Sequence, residues 1–537
     1  MPPALRRVLA AARSLVLDKG VITWMAAVLM IAMQFHIVFV MHDFEGPGWL
    51  SHFTDDVLYY VLPAEHLVQT GRSSFDGITL TNGYHPLWFV LIAGIATAFD
   101  PQNAAFFAAL LALSSALCLL GLAGVRALID ETAPTSGFAE TIGLLYFMSA
   151  YLISRDGMES ALVLGVAPWW LLMAARLWRH EAGPWSLVGF GLAGSLVVLS
   201  RLDAVFLVIP VGLILADRWR RRDGMRRALR HAMLALAGTW PLAAYLAFNL
   251  AVFGIAQPVS GAAKALLTAP GFSFWFIDQL FLSGLRTGSL FPLGPAVAAL
   301  AAVLLLALPR VRHRMHPVLD GMLLFPPLFY LVNAWRSDWP LWPWYYYPLV
   351  IALPAAVALF SASWPGRYSY PRIRRPLDLA CTILVLAVLV PQRWDQAWQL
   401  PPSEDKLLTA ALRLESFARD HPGIYAMGDR AGKVAFLLNA QGRPLIQLEG
   451  LAADPGMVDS IAREDDLMDV LRRYGVNYYI ATNTRSEDGC WLASEPALPG
   501  PRAPRMRTRI CEPPLFSFTL TRGGTWTTRV FAVPRRS

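Results

Sequence analysis

Apolar runs of roughly twenty residues recur along the first three-quarters of the chain, separated by short polar loops. A helix that crosses a bilayer needs roughly 20 apolar residues, with a range of about 17–25. Runs near 22–41, 104–125, 137–153, 160–176, 185–200, 203–217, 229–250, 289–308, 317–334, 345–364 and 376–392 fit. The pattern therefore predicts a polytopic α-helical membrane protein of about 11 spans. The first run follows Arg6, Arg7, Arg13 and Lys19. It is long for the apolar core of a signal peptide and lacks a small-residue cleavage site, so a retained anchor with a cytoplasmic N-terminus is expected.

Segment 86–99, PLWFVLIAGIATAF, decides the topology. It is short for a span and suits an interfacial segment. If it does not cross, Arg126, Arg176, Arg179, the group from Arg218 to Arg230, Arg310 to Arg314 and Arg367 to Arg375 all share the cytoplasmic side. If it crosses, the Arg218–Arg230 group lies outside, against the tendency of basic residues to stay in the cytoplasm. Residues 86–99 are thus expected along the outer surface, which puts the tail after about 393 outside as well.

That tail changes in kind. SEDKLLTAALRLESFARDHPG reads as an amphipathic helix ended by Pro-Gly. GIYAMG, RPLIQLEGL and VNYYIATN read as strands, GKVAFLLNAQG and DDLMDVLRRYG as helices. The alternation predicts a small α/β domain over 393–537, after a transmembrane module over 1–392 whose first outer loop is 42–103. GDRAGK (428–433) lacks phosphate-loop spacing and reads as a turn and helix start. Cys490 and Cys511 both fall in the tail, where an oxidising compartment allows a disulfide.

Composition closes other classes. The chain has 537 residues, 55% hydrophobic and 16% charged, against roughly 25% charged in soluble domains. Mean hydropathy is +0.44. Disordered, collagen-like and disulfide-stapled folds need the opposite balance or far more Cys. The net charge of +8 reflects cytoplasmic loops rather than nucleic-acid binding.

Out-of-place polar residues gather in the loops expected outside. In 42–88, Asp55 and Asp56 open a segment of apolar periodicity. They read either as helix-start acids or as a carboxylate at the membrane surface that takes a proton from an acceptor hydroxyl. The pair is also a candidate for a divalent Mg or Mn, which favour oxygen ligands. Asn82 and His85 stand in the turn TNGYHP, where a turn hydrogen bond and a site-lining role are both open. Membrane-embedded Arg201 and Asp203 read as a structural pair or as an Arg for a lipid phosphate. Arg336 lies among the aromatics of WRSDWPLWPWYYYP, which read as an interfacial belt or as stacking surfaces for a sugar or an isoprenoid.

TDDVLYYVLPAEHLVQTG, with FDG and TNGYHPLW after it, resembles the first outer loop of the GT-C membrane glycosyltransferases. It is most similar to the bacterial branch with the terminal arabinofuranosyltransferases, and the family also includes aminoarabinose transferases and protein O-mannosyltransferases. Here Thr-Asn precedes Gly-Tyr instead of following it, which argues for a related but distinct subfamily. The resemblance implies a sugar donor on a polyprenyl phosphate, inversion in a single displacement, and Asp55 or Asp56 as base, Asp55 being favoured because it matches the first acid of the family pair. SRDGMESAL resembles a second family stretch. There Glu159 binds the acceptor or helps the base, or is a helix-start acid. FGIAQPVSGAAK looks like a family loop in which Lys264 neutralises the leaving phosphate, or snorkels at the interface.

The expectation is a GT-C-like transferase of a hexosyl or pentosyl group in a bacterial inner membrane, facing the periplasm. Its partners would be the polyprenyl-phosphate donor, membrane lipids and a glycan, lipid or protein acceptor. A glycolipid transporter or flippase is the rival. It is disfavoured because no inverted repeat or broken helix is visible and the acids lie in a loop. A non-catalytic receptor or scaffold leaves the grouping of Asp55, Asp56, Arg201 and Lys264 on one side unexplained.

Overall fold

The computed structural model describes residues 21–41, 47–133, 138–266, 272–276, 278–280, 300, 303, 316–336, 339–363, 378–383, 405–497, 503–521 and 525–534. The first helix, α1 (Val21–His36), runs on into a wider turn, Ile37–Met41. A short 3₁₀ turn, Asp55–Val57, leads into α2 (Leu58–Thr70), which Gly71 closes at φ 74°. Then come α3 (Pro86–Ala96), α4 (Ala104–Thr132), α5 (Ala139–Ser154), α6 (Ser160–Arg179), α7 (Pro184–Ser200) and α8 (Val205–Asp223). Next are α9 (Met225–Ala237), α10 (Trp240–Phe253), α11 (Val259–Ala265), α12 (Pro317–Arg336) and α13 (Tyr347–Ser363).

Among the described residues, five helical stretches are long and apolar enough to cross a membrane: Val21–Val40, Ala104–Thr132, Ser160–Arg179, Pro317–Arg336 and Pro343–Ser361. The pair α9 and α10 makes a sixth if counted as one span. The eleven expected runs include shorter helices: α5 has 16 residues and α7 has 17. α8 is long, but Asp217, Arg218 and Arg220 to Arg222 charge its last turns. The runs at 289–308 and 376–392, and the expected boundary at 393, lie largely or wholly outside the described residues. Segment 86–99 forms α3, at 11 residues only ~16 Å long.

The run at 229–250 is not one straight helix. α9 and α10 meet at 53°, a helix break that the sequence did not reveal. Pro241 lacks the N–H that would continue the ladder, and its ring crowds the carbonyl one turn earlier. Gly238 lies so close to α7 that a Cβ would overlap the Val188 carbonyl, and a Cβ on Gly191 would overlap that of Ala235. Small residues also bring α4 and α6 together, where a Cβ on Gly165 would lie 2.9 Å from Leu117 O. This close backbone approach is how helices pack where lipid removes the hydrophobic drive.

The bundle has two chemically distinct ends. α6 starts beside Glu159 and ends at Arg176 and Arg179. α8 starts just after Arg201 and Asp203 and ends in Arg220, Arg221 and Arg222. Helices of this length carry the chain about 30 Å, one bilayer core. The arginine-rich loops therefore lie a membrane's thickness from the expected site residues.

The tail is an α/β unit, as its alternation predicts. α14 (Lys406–Asp420) precedes β1 (Tyr425–Met427), α15 (Gly432–Asn439), β2 (Leu445–Gln447), α16 (Pro455–Ala462), α17 (Leu467–Arg473) and β3 (Tyr478–Ala481). β1 pairs in parallel with β2 (Tyr425↔Leu445) and β3 (Tyr425↔Tyr478). β4 (Thr484–Glu487), β5 (Cys490–Glu495) and β6 (Met506–Ile510) form an antiparallel meander joined by a Cys490–Cys511 disulfide. β7 (Phe516–Leu520) and β8 (Trp526–Ala532) complete the main sheet in the order β2-β1-β3-β8-β7.

Each sheet face has its own core. Ala426, Ile446, Tyr479 and Phe531 pack with Met457, Ile461 and Val470 of α16 and α17. Tyr425, Met427, Ile480 and Val530 join Leu414, Val434 and Leu438 of α14 and α15. That second core continues into Val57, Leu58, Phe107 and Trp88 of the membrane module. The tail thus shares a core with the first loop.

Candidate active site

Asp55 lies at a helix start, but the helix it caps is 377 residues away. Thr54 is extended, and the Asp55 side chain makes no bond to its own turn. Instead, the Gly432 N–H donates to Asp55 Oδ2 at 2.7 Å and the Lys433 N–H to Oδ1 at 2.7 Å. These are the first amides of α15, where a helix has unsatisfied donors and positive potential. The GDRAGK turn, read from sequence as a helix start, supplies them. Asp55 is 8% exposed. Burial raises its pKa, while the two amides and the Lys433 charge work the other way.

Asp56 is less constrained. No hydrogen bond or ion pair holds its carboxylate among the described residues. Burial, then the neighbouring Asp55 charge, push it up to about 7, while Lys264 works to lower it. Glu159 and Asp429 contribute further negative charge toward it.

Gly157 draws the second expected loop onto the first. It adopts φ 86°, and a Cβ there would lie 2.9 Å from Val57 Cγ2. Glu159, next along, accepts from Tyr60 Oη at 3.0 Å and from Arg201 Nη1 at 2.6 Å. His85 Nε2 is 3.7 Å from Glu159 Oε1. The Leu202 N–H donates to His85 Nδ1 at 3.2 Å, which leaves the ring proton on Nε2. Burial pushes His85 down to about 4, so the ring is neutral at physiological pH. The bond ties the TNGYHP turn to the loop before α8.

Arg201 forms the structural pair that the sequence allowed, and more. Its Nε donates to Asp203 Oδ1 at 3.0 Å, and Nη1 also reaches Trp344 O at 3.4 Å. Tyr345 and Tyr347 lie against its guanidinium, 4.9 and 4.5 Å from ring centroid to Cζ. Aromatics of the 335–348 segment thus box a cation in from its faces. Burial raises Asp203, but the Arg201 charge and hydrogen bond, with the Tyr347 hydroxyl and His85, together outweigh it and hold the carboxyl below its ordinary range.

Lys264 keeps a freer charge. Its Nζ donates to Tyr345 Oη at 2.9 Å and lies 5.2 Å from the Trp339 ring centroid. Burial works to lower its pKa, but the Tyr345 hydroxyl and the Asp56 charge outweigh it, so the ammonium persists. Asn82 is a positioning residue for Lys264: its Oδ1 accepts the Val259 N–H at 2.9 Å and fixes the start of α11.

A cavity of about 470 Å³ opens beside these groups. Of the expected residues, His85, Arg201, Lys264 and Arg336 line it; Asp55, Asp56, Glu159 and Asn82 do not. Its other walls include Asp203, already paired with Arg201, and the apolar Val205, Phe206, Phe276, Val332 and Leu341. Among the described residues no carboxylate pairs with Lys264 or Arg336. The cavity joins cationic groups to an apolar wall, which suits an anionic head on an apolar chain.

Metal ligation finds little support in the donor set. Among the described residues no three His, Cys, Asp or Glu groups converge as ligands. Both Asp55 oxygens already accept amides, which leaves Asp56 a single carboxylate donor.

The sequence named no residue of the tail as part of the site. Gly432 and Lys433 hold Asp55, and Asp429 lies before them. Glu449, buried in the tail, is pushed well up, first by burial and then by Asp429, Glu495, Asp56 and Asp55. GDRAGK was the available signal, but nothing in it named its target.

No family model matches the chain, and no curated protein matches it in sequence. Among solved structures, the chain is similar to the apo Archaeoglobus fulgidus oligosaccharyltransferase, with 13% identity over 85% of this chain and 69% of that one, at a TM-score of 0.49. It is also similar to ArnT from Cupriavidus metallidurans bound to undecaprenyl phosphate, with 12% identity over 85% and 92%, at 0.49. The apo state of that ArnT gives 14% over 82% and 78%, at 0.42. Scores this low establish neither the fold nor the chemistry, which rest on the residues described above.

Proposed function

We propose that the chain is a GT-C-like inverting glycosyltransferase that moves a sugar from a polyprenyl-phosphate donor to a cell-envelope acceptor on the outer face of the membrane. The carrying observation is the cavity in which Lys264 and Arg336, without carboxylate partners among the described residues, face an apolar wall. A phosphate beside Lys264 gains charge-assisted hydrogen bonds there, and an isoprenoid follows the apolar side. The resemblance of the first loop to the GT-C family and the two charge-sorted ends of the bundle support the same reading.

In this reading Asp56 is the base. Its carboxylate is free of hydrogen bonds among the described residues and carries a pKa close to physiological pH, where general bases work best. Asp56 takes the proton of an acceptor hydroxyl as its oxygen attacks the anomeric carbon. The bond from that carbon to the lipid phosphate oxygen breaks with its electron pair, and Lys264 stabilises the departing phosphate. The anomeric centre inverts in the one displacement.

Native mass spectrometry of the full chain with undecaprenyl phosphate as probe tests this. Wild type should retain the lipid and Lys264→Ala should lose it. Equal retention by both, or ordinary phospholipids only, would sink the donor assignment.

A further inference from the structure

The tail and the first loop meet through contacts too close to tolerate a single added carbon. A Cβ on Gly432 would overlap the Asp55 carbonyl oxygen and lie 2.8 Å from Asp55 Cγ. A Cβ on Gly83, in the TNGYHP turn, would overlap the Leu451 carbonyl of the tail. His66 Nε2 and Asn439 Oδ1, at the far end of α15, are 3.2 Å apart, and the Phe107 and Phe436 rings meet edge to face at 5.8 Å. Lys433 is itself buried and ion-paired to Asp405, the residue that caps α14. Asp55 thus ties α2 to α15, and through Lys433 and Asp405 to α14.

We propose that Asp55 is a positioning residue, a clamp on the N-terminus of α15 that holds the C-terminal domain over Asp56 and shields that half-buried carboxylate from bulk water. This rests on the reading of Asp56 as base. The clamp is one bond chain: the Asp55 carboxylate, two amides, the α15 axis and the shared core below. It sits one residue from Asp56, so it fixes the backbone that carries the base. It also brings Asp429 of the tail, together with Glu159 and Lys264 of the membrane module, to face Asp56. A carboxylate held by two charge-assisted bonds at 2.7 Å is a strong, directional tie. The adjacent acids then divide the work: one docks a domain and the other takes the proton.

Gly432→Ala tests the clamp without touching a carboxylate. In the full chain, hydrogen exchange at 425–440 and 53–58 should rise at least tenfold over wild type. Infrared titration of Asp56, taken as wild type minus Asp56→Asn, should fall from about 7 toward the ordinary carboxylate range when repeated in the Gly432→Ala background. A merely structural contact would not move that signal. Undecaprenyl phosphate retention should stay as in wild type, because the Lys264 cavity is untouched. If Gly432→Ala does not fold, Asp55→Asn, which loses one of the two amide bonds, gives the exchange reading alone, because loss of the Asp55 charge lowers Asp56 by itself. Wild-type exchange in either folded variant, or an unmoved Asp56 signal in folded Gly432→Ala, would overturn the clamp. Lipid loss that is absent in Lys264→Ala would instead overturn the donor reading and leave the clamp standing.

Discussion

Arg201 Nη1 lies 2.6 Å from Glu159 Oε1, and each side chain is 2% exposed. The ion pair joins the loop before α6 to the loop before α8, and Asp203 takes the other edge of the guanidinium. Removing one member of a buried pair strands the other charge, at a cost of about 3–5 kcal/mol. Arg201→Met, which strands the buried Glu159, should therefore lower thermal stability strongly in the purified chain. The double change Glu159→Gln/Arg201→Met should lose less than the sum of the singles, since it removes the stranded carboxylate and leaves only Asp203, which is 25% exposed. Unchanged melting in Arg201→Met would mean that the pair carries no structural load.

Lys264 should behave in the opposite way. Tyr345 Oη is its one hydrogen-bond partner among the described residues, so Lys264→Met strands no buried carboxylate. Stability should change by less than about 1 kcal/mol, while undecaprenyl phosphate binding weakens at least tenfold, equivalent to about 1.4 kcal/mol. Arg336 is exposed at the cavity edge, and Arg336→Gln should weaken binding by a smaller factor. Titration of labelled lipid against detergent-solubilised variants separates the two. A Lys264→Met protein that unfolds yet binds normally would reverse these roles.

Sequence periodicity located the helices because a bilayer demands apolar runs of a fixed length. It also placed strands and helices in the first half of the tail, where β-branched and aromatic runs alternate with amphipathic ones. It did not reveal β4 to β8. Arg507 and Arg509 alternate with buried Met506, Thr508 and Ile510 in β6, but the run is short and charged. The break between α9 and α10 was also hidden, since Pro241 and Gly238 sit inside a continuous apolar run. At the site, Arg201 stood out because charge is costly in a membrane, Glu159 and Lys264 through the resemblance of their loops to the GT-C family, and His85 through its turn beside the acids. The division between Asp55 and Asp56 did not, because it depends on amides 377 residues away. Long-range pairing of this kind leaves no local pattern to read.

Transfer should be governed by Asp56 in its ionised form. Burial and the Asp55 charge push the group up to about 7. The base works only when deprotonated, so the rate should climb as pH rises through about 7 and level off above it. Asp56→Asn removes the acceptor of the proton and should cost roughly 10²–10⁴-fold. A pH–rate profile with the physiological acceptor is the measurement. A profile flat from pH 5 to 9, or a fully active Asp56→Asn protein, would remove Asp56 from the chemistry.

Glu495 makes the tail's stability depend on pH. It is wholly buried at the end of β5, beside Gly428, where a Cβ would overlap its carboxyl. Tyr479 Oη donates to Oε1 at 2.8 Å, and Oε2 has no partner among the described residues. Burial pushes its pKa from 4.5 to about 8. Below 4.5 the carboxyl is protonated whether the tail is folded or not, and pH has no leverage through it. Between 4.5 and about 8 the folded tail keeps a proton that the unfolded one releases. Stability then falls as pH rises, by up to about 1.4 kcal/mol per pH unit from this group, and the slope ends above about 8. Glu495→Gln keeps the shape and removes the titration. Proteolysis of the tail, followed from pH 5 to 8 in wild type and Glu495→Gln, should show the wild type opening progressively more than the variant as pH rises. Parallel curves for the two proteins would mean that Glu495 is not the group that holds this proton.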